Sequence, residues 1–92
     1  MITYAEVEFF LYECHSLKEK RSVLKRIKNR LQKELNIAIS ELDYQDLWQR
    51  TKFGIVTISS SKELGEQIIQ QALDIIDAHS EIERTITKVE MR

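Results

Sequence analysis

Eight basic side chains crowd one sixteen-residue stretch: Lys18, Lys20, Arg21, Lys25, Arg26, Lys28, Arg30 and Lys33, with Glu19 the single carboxylate among them. The chemistry open to them is capture of phosphate oxygens, Lys acting as a point charge and Arg as a forked donor. If the stretch is a helix with its apolar stripe buried, most of these charges project to solvent together. Phosphate contacts are then assigned to Lys18, Arg21, Lys25, Arg26, Lys28 and Arg30. The competing reading is a solvated face that only keeps the chain dissolved, but the density exceeds what solubility requires. The pattern points to a polyanion and is silent about which one.

A second group lies between Asp43 and Arg50, where the only Trp of the chain sits with Tyr44, two carboxylates and an Arg. Trp48 and Arg50 are of the types that anchor interfaces. A chain this short needs its large side chains for burial, so Leu47 and Trp48 are expected to fold back and cap one end of the core, with a partner contact as the alternative. Glu41, Asp43 and Asp46 lack the loop glycine and the spacing of a calcium site. Cys14 and His15 are adjacent, so on a strand they face opposite ways and cannot form a nucleophile–base pair. His79 is remote, and two histidines with one cysteine do not make a zinc site without carboxylate help. An enzyme built on Asp43, Asp46 and Arg50 is the weakest reading, because no nucleophile or histidine accompanies them. No cofactor, metal or small-molecule substrate is indicated.

Six elements must position these residues. Over residues 2 to 13, Thr3, Ala5, Val7, Phe9 and Leu11 alternate with Tyr4, Glu6, Glu8, Phe10 and Tyr12, a strand with one apolar and one mixed face. Ser16 and Glu19 have the spacing of a capping box, the Glu19 carboxylate reaching back to the Ser16 amide. Leu17, Leu24, Ile27, Leu31 and Leu35 then form a helical stripe, with Asn36 as a left-handed terminator. Residues 37–42 and 53–59 read as strands. Ser60 and Glu63 repeat the capping spacing before a helix whose stripe runs through Leu64, Ile68, Ile69, Ala72, Leu73, Ile75 and Ile76. Gly65 inside it costs about 1 kcal/mol against Ala, which predicts close packing on a strand. Residues 82–91 return to strand character. The order βαββαβ converts most simply into an α+β, ferredoxin-like sandwich over residues 1–92: a four-stranded antiparallel sheet, two helices on one face, and the first and third strands central.

The other sheet face is then open. Tyr4, Phe10 and Tyr12 sit on it, and Phe53 and Ile55 are candidates to join them. Exposed aromatics stack on bases in one class of RNA-binding sheet. Here Glu6 and Glu8 lie between the rings and repel phosphates, so a partner surface, including a homodimer contact, is the preferred reading. Alternatively the rings only cover neighbouring backbone.

Composition bounds the rest. Ninety-two residues, 42% hydrophobic and 32% charged, suit one globular domain. The net charge of -1 excludes a strongly basic nucleic-acid binder, yet residues 1–40 hold eight basic and five acidic side chains, net +3, against six and ten, net -4, in residues 41–92. No apolar run reaches the roughly 20 residues of a membrane span. The start lacks the basic region of a secretory signal and Cys14 has no partner, so a cytoplasmic location is expected.

The segments Ser-Leu-Lys-Glu-Lys-Arg (16–21), Asn-Ile-Ala-Ile-Ser-Glu (36–41), Asp-Leu-Trp-Gln-Arg-Thr (46–51) and Ile-Glu-Arg-Thr (82–85) resemble the YlxP-like family of small bacterial proteins of unknown function. The resemblance spans essentially the whole chain and implies a ferredoxin-like fold. The family's genes tend to lie near those of translation initiation and ribosome maturation factors, which implies a ribosomal or RNA connection by association only. No catalytic residues carry over. The reading that follows is a non-enzymatic accessory protein that binds RNA, with ribosomal RNA or a ribosomal subunit as partner, through the first helix. The alternative is a protein-interaction or dimerisation module using Tyr4, Phe10, Tyr12, Trp48 and Arg50.

Overall fold

A computed structural model describes all residues, 1–92. The order is β1 (Ile2–Leu11), α1 (Leu17–Glu34), β2 (Ala38–Asp43), β3 (Arg50–Ile58), α2 (Lys62–Asp77) and β4 (Ile82–Met91). The strands form one sheet in the order β2-β3-β1-β4, every pair antiparallel, so β1 and β3 are central as expected. The expected ferredoxin-like sandwich is the fold.

Period-two alternation decides which side of β1 is dry. Thr3, Ala5, Val7, Phe9 and Leu11 are all buried beneath the helices. Register carries the same parity into β3: Val7 faces Phe53 and Ala5 faces Ile55. Phe53 and Ile55 are therefore fully buried core residues, Phe53 meeting Phe9 edge-to-face at 5.3 Å. They do not lie on the open face. The stretch 53–59 is apolar at successive positions, so its own pattern does not reveal which face is which.

Both helices are capped, with shifts from the expected partners. Ser16 Oγ accepts from the Glu19 amide, but the Glu19 carboxylate takes the amide of His15, not that of Ser16. Ser16 is extended, and this turns the preceding amide toward the first turn. α2 is capped by Ser61 rather than Ser60, its Oγ accepting from Leu64. Ser59 is still tied to the sheet end by hydrogen bonds with Met1, so the chain leaves the sheet one residue later than the spacing suggests. Asn36 is not a left-handed terminator: α1 passes through an extended Leu35 into β2, and the Asn36 carbonyl accepts from Thr57 Oγ1 at 2.8 Å. Gly65 presses on β1, where an added Cβ would collide with the Thr3 hydroxyl. Gly54 makes room for Leu42, which a bulge in β2 places against it.

The seven-residue gap between Leu17 and Leu24 in the α1 stripe is filled by Lys20, which is 1% exposed. Its Nζ donates to the Tyr44 carbonyl at 2.6 Å and pairs with Glu41 Oε2 at 3.1 Å. Glu41 Oε2 also accepts from the Thr51 hydroxyl. A buried ammonium is tolerated only when its protons are matched in this way. Replacing Lys20 by Met strands Glu41 and the Tyr44 carbonyl, and should cost about 3 kcal/mol, within the range for breaking a buried pair. Urea denaturation should show most of that loss restored when Glu41→Leu is added. A loss below about 1 kcal/mol for Lys20→Met alone would contradict this role for the clamp.

Candidate functional site

Of the fourteen Lys and Arg side chains, eight make ion pairs. The six that do not are Lys18, Arg21, Lys25, Lys28, Lys33 and Lys88, so five of the six lie on α1. Lys18, Arg21, Lys25 and Lys28 recur at spacings of three, four and three, which aligns them in one row along the helix. All are exposed except Lys28, which is half-buried. The row borders a groove of about 320 Å³ between α1 and the edge strand β2, with Arg21, Lys25 and Lys28 on its lip.

Arg26 and Arg30, expected in the same set, lie on the other flank of the helix. Arg26 Nη2 sits 3.5 Å from Glu81 Oε1, an ion-pair distance without a hydrogen bond, since that oxygen is buried and unpartnered. Arg30 Nε pairs with Glu34 one turn on, at 3.1 Å. The structure thus brings four of the six expected phosphate contacts together and separates two. A sequence count cannot make that division, because the carboxylates that engage Arg26 and Arg30 come from elsewhere on the surface or the helix end.

The open sheet face is wired differently. Lys52 Nζ meets Glu6 Oε1 at 3.0 Å, and Tyr4 donates its hydroxyl proton to Glu6 at 3.1 Å. Glu8, nearly buried, accepts from Tyr44 at 3.1 Å and from Arg50 at 3.3 Å, while the Arg50 guanidinium lies 4.0 Å over the Tyr44 ring. Arg92 covers the Tyr4 ring at 5.0 Å. Both carboxylates are thereby neutralised, and Tyr4 is engaged rather than offered to a partner. Phe10 and Tyr12 remain exposed at the far end.

Next to them is the loop 44–49. Tyr44 takes a left-handed backbone (φ 64°), held by its N–H donating to Asp43 Oδ1 and by its carbonyl accepting from the Leu47 amide and from Lys20. Such a conformation is unfavourable for a non-glycine residue and persists because these contacts fix it. The result overturns the expected burial of Leu47 and Trp48. They are 48% and 51% exposed, and with Phe10 and Arg50 they line a shallow groove of about 500 Å³. Cys14 is buried, and burial pushes its thiol up, away from the reactive thiolate. No group of three or more His, Cys, Asp or Glu side chains is placed to hold a metal ion.

The hydrogen bond from Lys52, then that from Tyr4, holds the Glu6 carboxyl below its ordinary value. A carboxyl depressed in the folded state contributes stability above the ordinary carboxylate range and loses it as pH falls through the lowered value. In Lys52→Met the Glu6 titration, followed by carboxyl carbon NMR, should move up toward the ordinary range. An unchanged midpoint would show that Lys52 is not the cause.

A family model described as a protein of unknown function, DUF503, matches residues 2–89. The chain is 54% identical over 90 residues to a protein of Bacillus subtilis (strain 168) named uncharacterized protein YlxP, covering 98% of each chain. Among solved structures it is similar to the de novo designed protein Foldit4, with a TM-score of 0.63 at 14% identity, covering 100% of this chain and 99% of the design. A second similar structure is LFR1 1, a de novo design with ferredoxin fold, at a TM-score of 0.61 and 14% identity, covering 100% and 87%. At such identities these likenesses concern the fold alone. No helix is long and apolar enough to cross a membrane.

Proposed function

The chain belongs to the DUF503 family of proteins of unknown function, and we propose that it is a non-enzymatic, cytoplasmic accessory protein that binds RNA, with the ribosome as its setting. The observation that carries this reading is the segregation of unpaired cations: five of six lie on α1, while the cations of the sheet are, with the exception of Lys88, committed to carboxylates. A protein needing only solubility has no cause to leave one row of a helix unpaired while pairing most cations elsewhere. Lys18, Arg21, Lys25 and Lys28 contact successive phosphates, and Arg26 and Arg30 contribute little. Such contacts position a nucleic acid without reading its sequence. The overall charge of -1 limits long-range attraction, so affinity is modest.

A second reading rests on the exposed Trp48. It is a protein-interaction or dimer contact at the Phe10, Tyr12, Trp48 and Arg50 end of the open face, since an exposed Trp beside an Arg is a characteristic interface anchor. The two surfaces lie on different elements and are separable by substitution.

Co-sedimentation with isolated ribosomal subunits across a salt series tests the first reading. Four phosphate contacts give a slope of about -3 in log K against log salt. The triple variant Arg21→Glu, Lys25→Glu, Lys28→Glu should abolish binding, whereas Arg26→Glu with Arg30→Glu should leave most of it. Binding that survives the triple variant and is lost in Trp48→Ala would overturn the helix reading in favour of the second.

A further inference from the structure

The groove between α1 and β2 is more elaborate than phosphate binding requires. Beyond the lip cations, its wall carries the side-chain amides of Asn29 and Gln32. Its floor is apolar, with half-buried Ile39 at the surface and the buried Leu24 and Phe53 beneath it. Glu41 also lines the groove; its Oε2 is engaged by the ion pair with Lys20 and by the Thr51 hydroxyl, while its Oε1 has no hydrogen-bond partner. A carboxylate oxygen beside a row of cations is a poor choice for holding phosphates. It is a good acceptor for an amino group, and Lys20 prevents its charge from opposing the row. At about 320 Å³ the groove is at the lower end of the range for small-molecule sites, room for a flat ring but not for a helix of paired bases.

We propose that this groove takes one unstacked base of a single-stranded RNA segment, with the Watson–Crick edge of an amino-bearing base read by Glu41 Oε1 and by the amides of Asn29 and Gln32. The inference rests on the RNA-binding reading above and names the form of RNA. The occupant follows from charge complementarity: phosphates on either side of the base lie on Lys18, Arg21, Lys25 and Lys28, the ring covers Ile39, and its amino group meets Oε1 of Glu41, the one carboxylate lining the groove. A duplex engages the cation row alone, because its bases are paired and stacked out of reach, and leaves the apolar floor in water. Among pyrimidines, cytosine offers an amino group where uracil offers a carbonyl that Glu41 repels. The site therefore discriminates the two at the 4-position.

Fluorescence anisotropy with labelled oligo(C), oligo(U) of equal length and a duplex RNA tests this at one salt concentration and then along a salt series. Oligo(C) should bind about tenfold tighter than oligo(U) and than the duplex, a ratio at the lower part of the range for losing one base-edge contact. Asn29→Ala with Gln32→Ala, both exposed positions, should reduce the preference severalfold without altering the salt slope. Equal binding of all three RNAs with a steep salt slope would overturn the base site and leave the phosphate row standing. Absence of binding to any of them at low salt would overturn the RNA-binding reading, and this inference with it.

Discussion

Lys20 is the one cation of α1 that turns inward, and much of the molecule is arranged around the cost of putting it there. An unpaired ammonium out of water is prohibitive, so its neighbours are fixed by what it needs: the Tyr44 carbonyl at 2.6 Å and Glu41 at 3.1 Å. Meeting that demand pins the first turns of α1 to the edge strand β2 and to the end of the loop that follows it. Tyr44 is held left-handed, with its hydroxyl directed to Glu8 and its ring beneath Arg50. Leu47 and Trp48 are left outside as a consequence. The same contact sets the opening between α1 and β2 and cancels the charge of the one carboxylate that faces it.

Around that clamp the charges divide. On the open sheet face both carboxylates of β1 have a cation at hydrogen-bonding distance, Glu6 with Lys52 and Glu8 with Arg50, which makes the centre of the face locally neutral. On α1 a row of cations goes unmatched. A net charge of -1 conceals this division completely, because it averages a balanced sheet, an acidic second half and an unbalanced helix. Partner recognition depends on the local arrangement, within about a Debye length, and not on the sum.

Much of the fold was legible because periodicity is legible. The alternation of β1, the stripes of both helices and the strand order β2-β3-β1-β4 follow from spacing and connection rules. What escaped depends on partners distant in the chain. Phe53 and Ile55 were placed by pairing with Val7 and Ala5, which their own run of apolar residues does not encode. Arg26 and Arg30 carry the same charge as Lys25 and Lys28 but lie on the other flank of α1, where Glu81, distant in the chain, engages Arg26 and Glu34, one turn on, engages Arg30. Lys20 had left a trace, since the apolar stripe of α1 skips from Leu17 to Leu24 and Lys20 occupies the missing turn. Trp48 left none, because its exposure follows from a left-handed turn at a tyrosine, where no glycine announces it. The Ser16–Arg21 and Asp46–Thr51 segments meet around this clamp, Lys20 and Thr51 sharing Glu41. Part of what they encode is therefore architecture.

In the proposed mode of binding, nucleic acid lies along the row of unpaired cations on α1 and not on the aromatic end of the sheet. Amide chemical-shift mapping of the 15N-labelled protein during titration with oligo(C) separates the two surfaces, because it reports where contact occurs even when binding is weak. Perturbations should concentrate at Arg21, Lys25, Lys28, Asn29, Gln32 and Ile39, with Phe10 and Trp48 unmoved. Perturbations centred on Phe10, Trp48 and Arg50, with α1 silent, would contradict it.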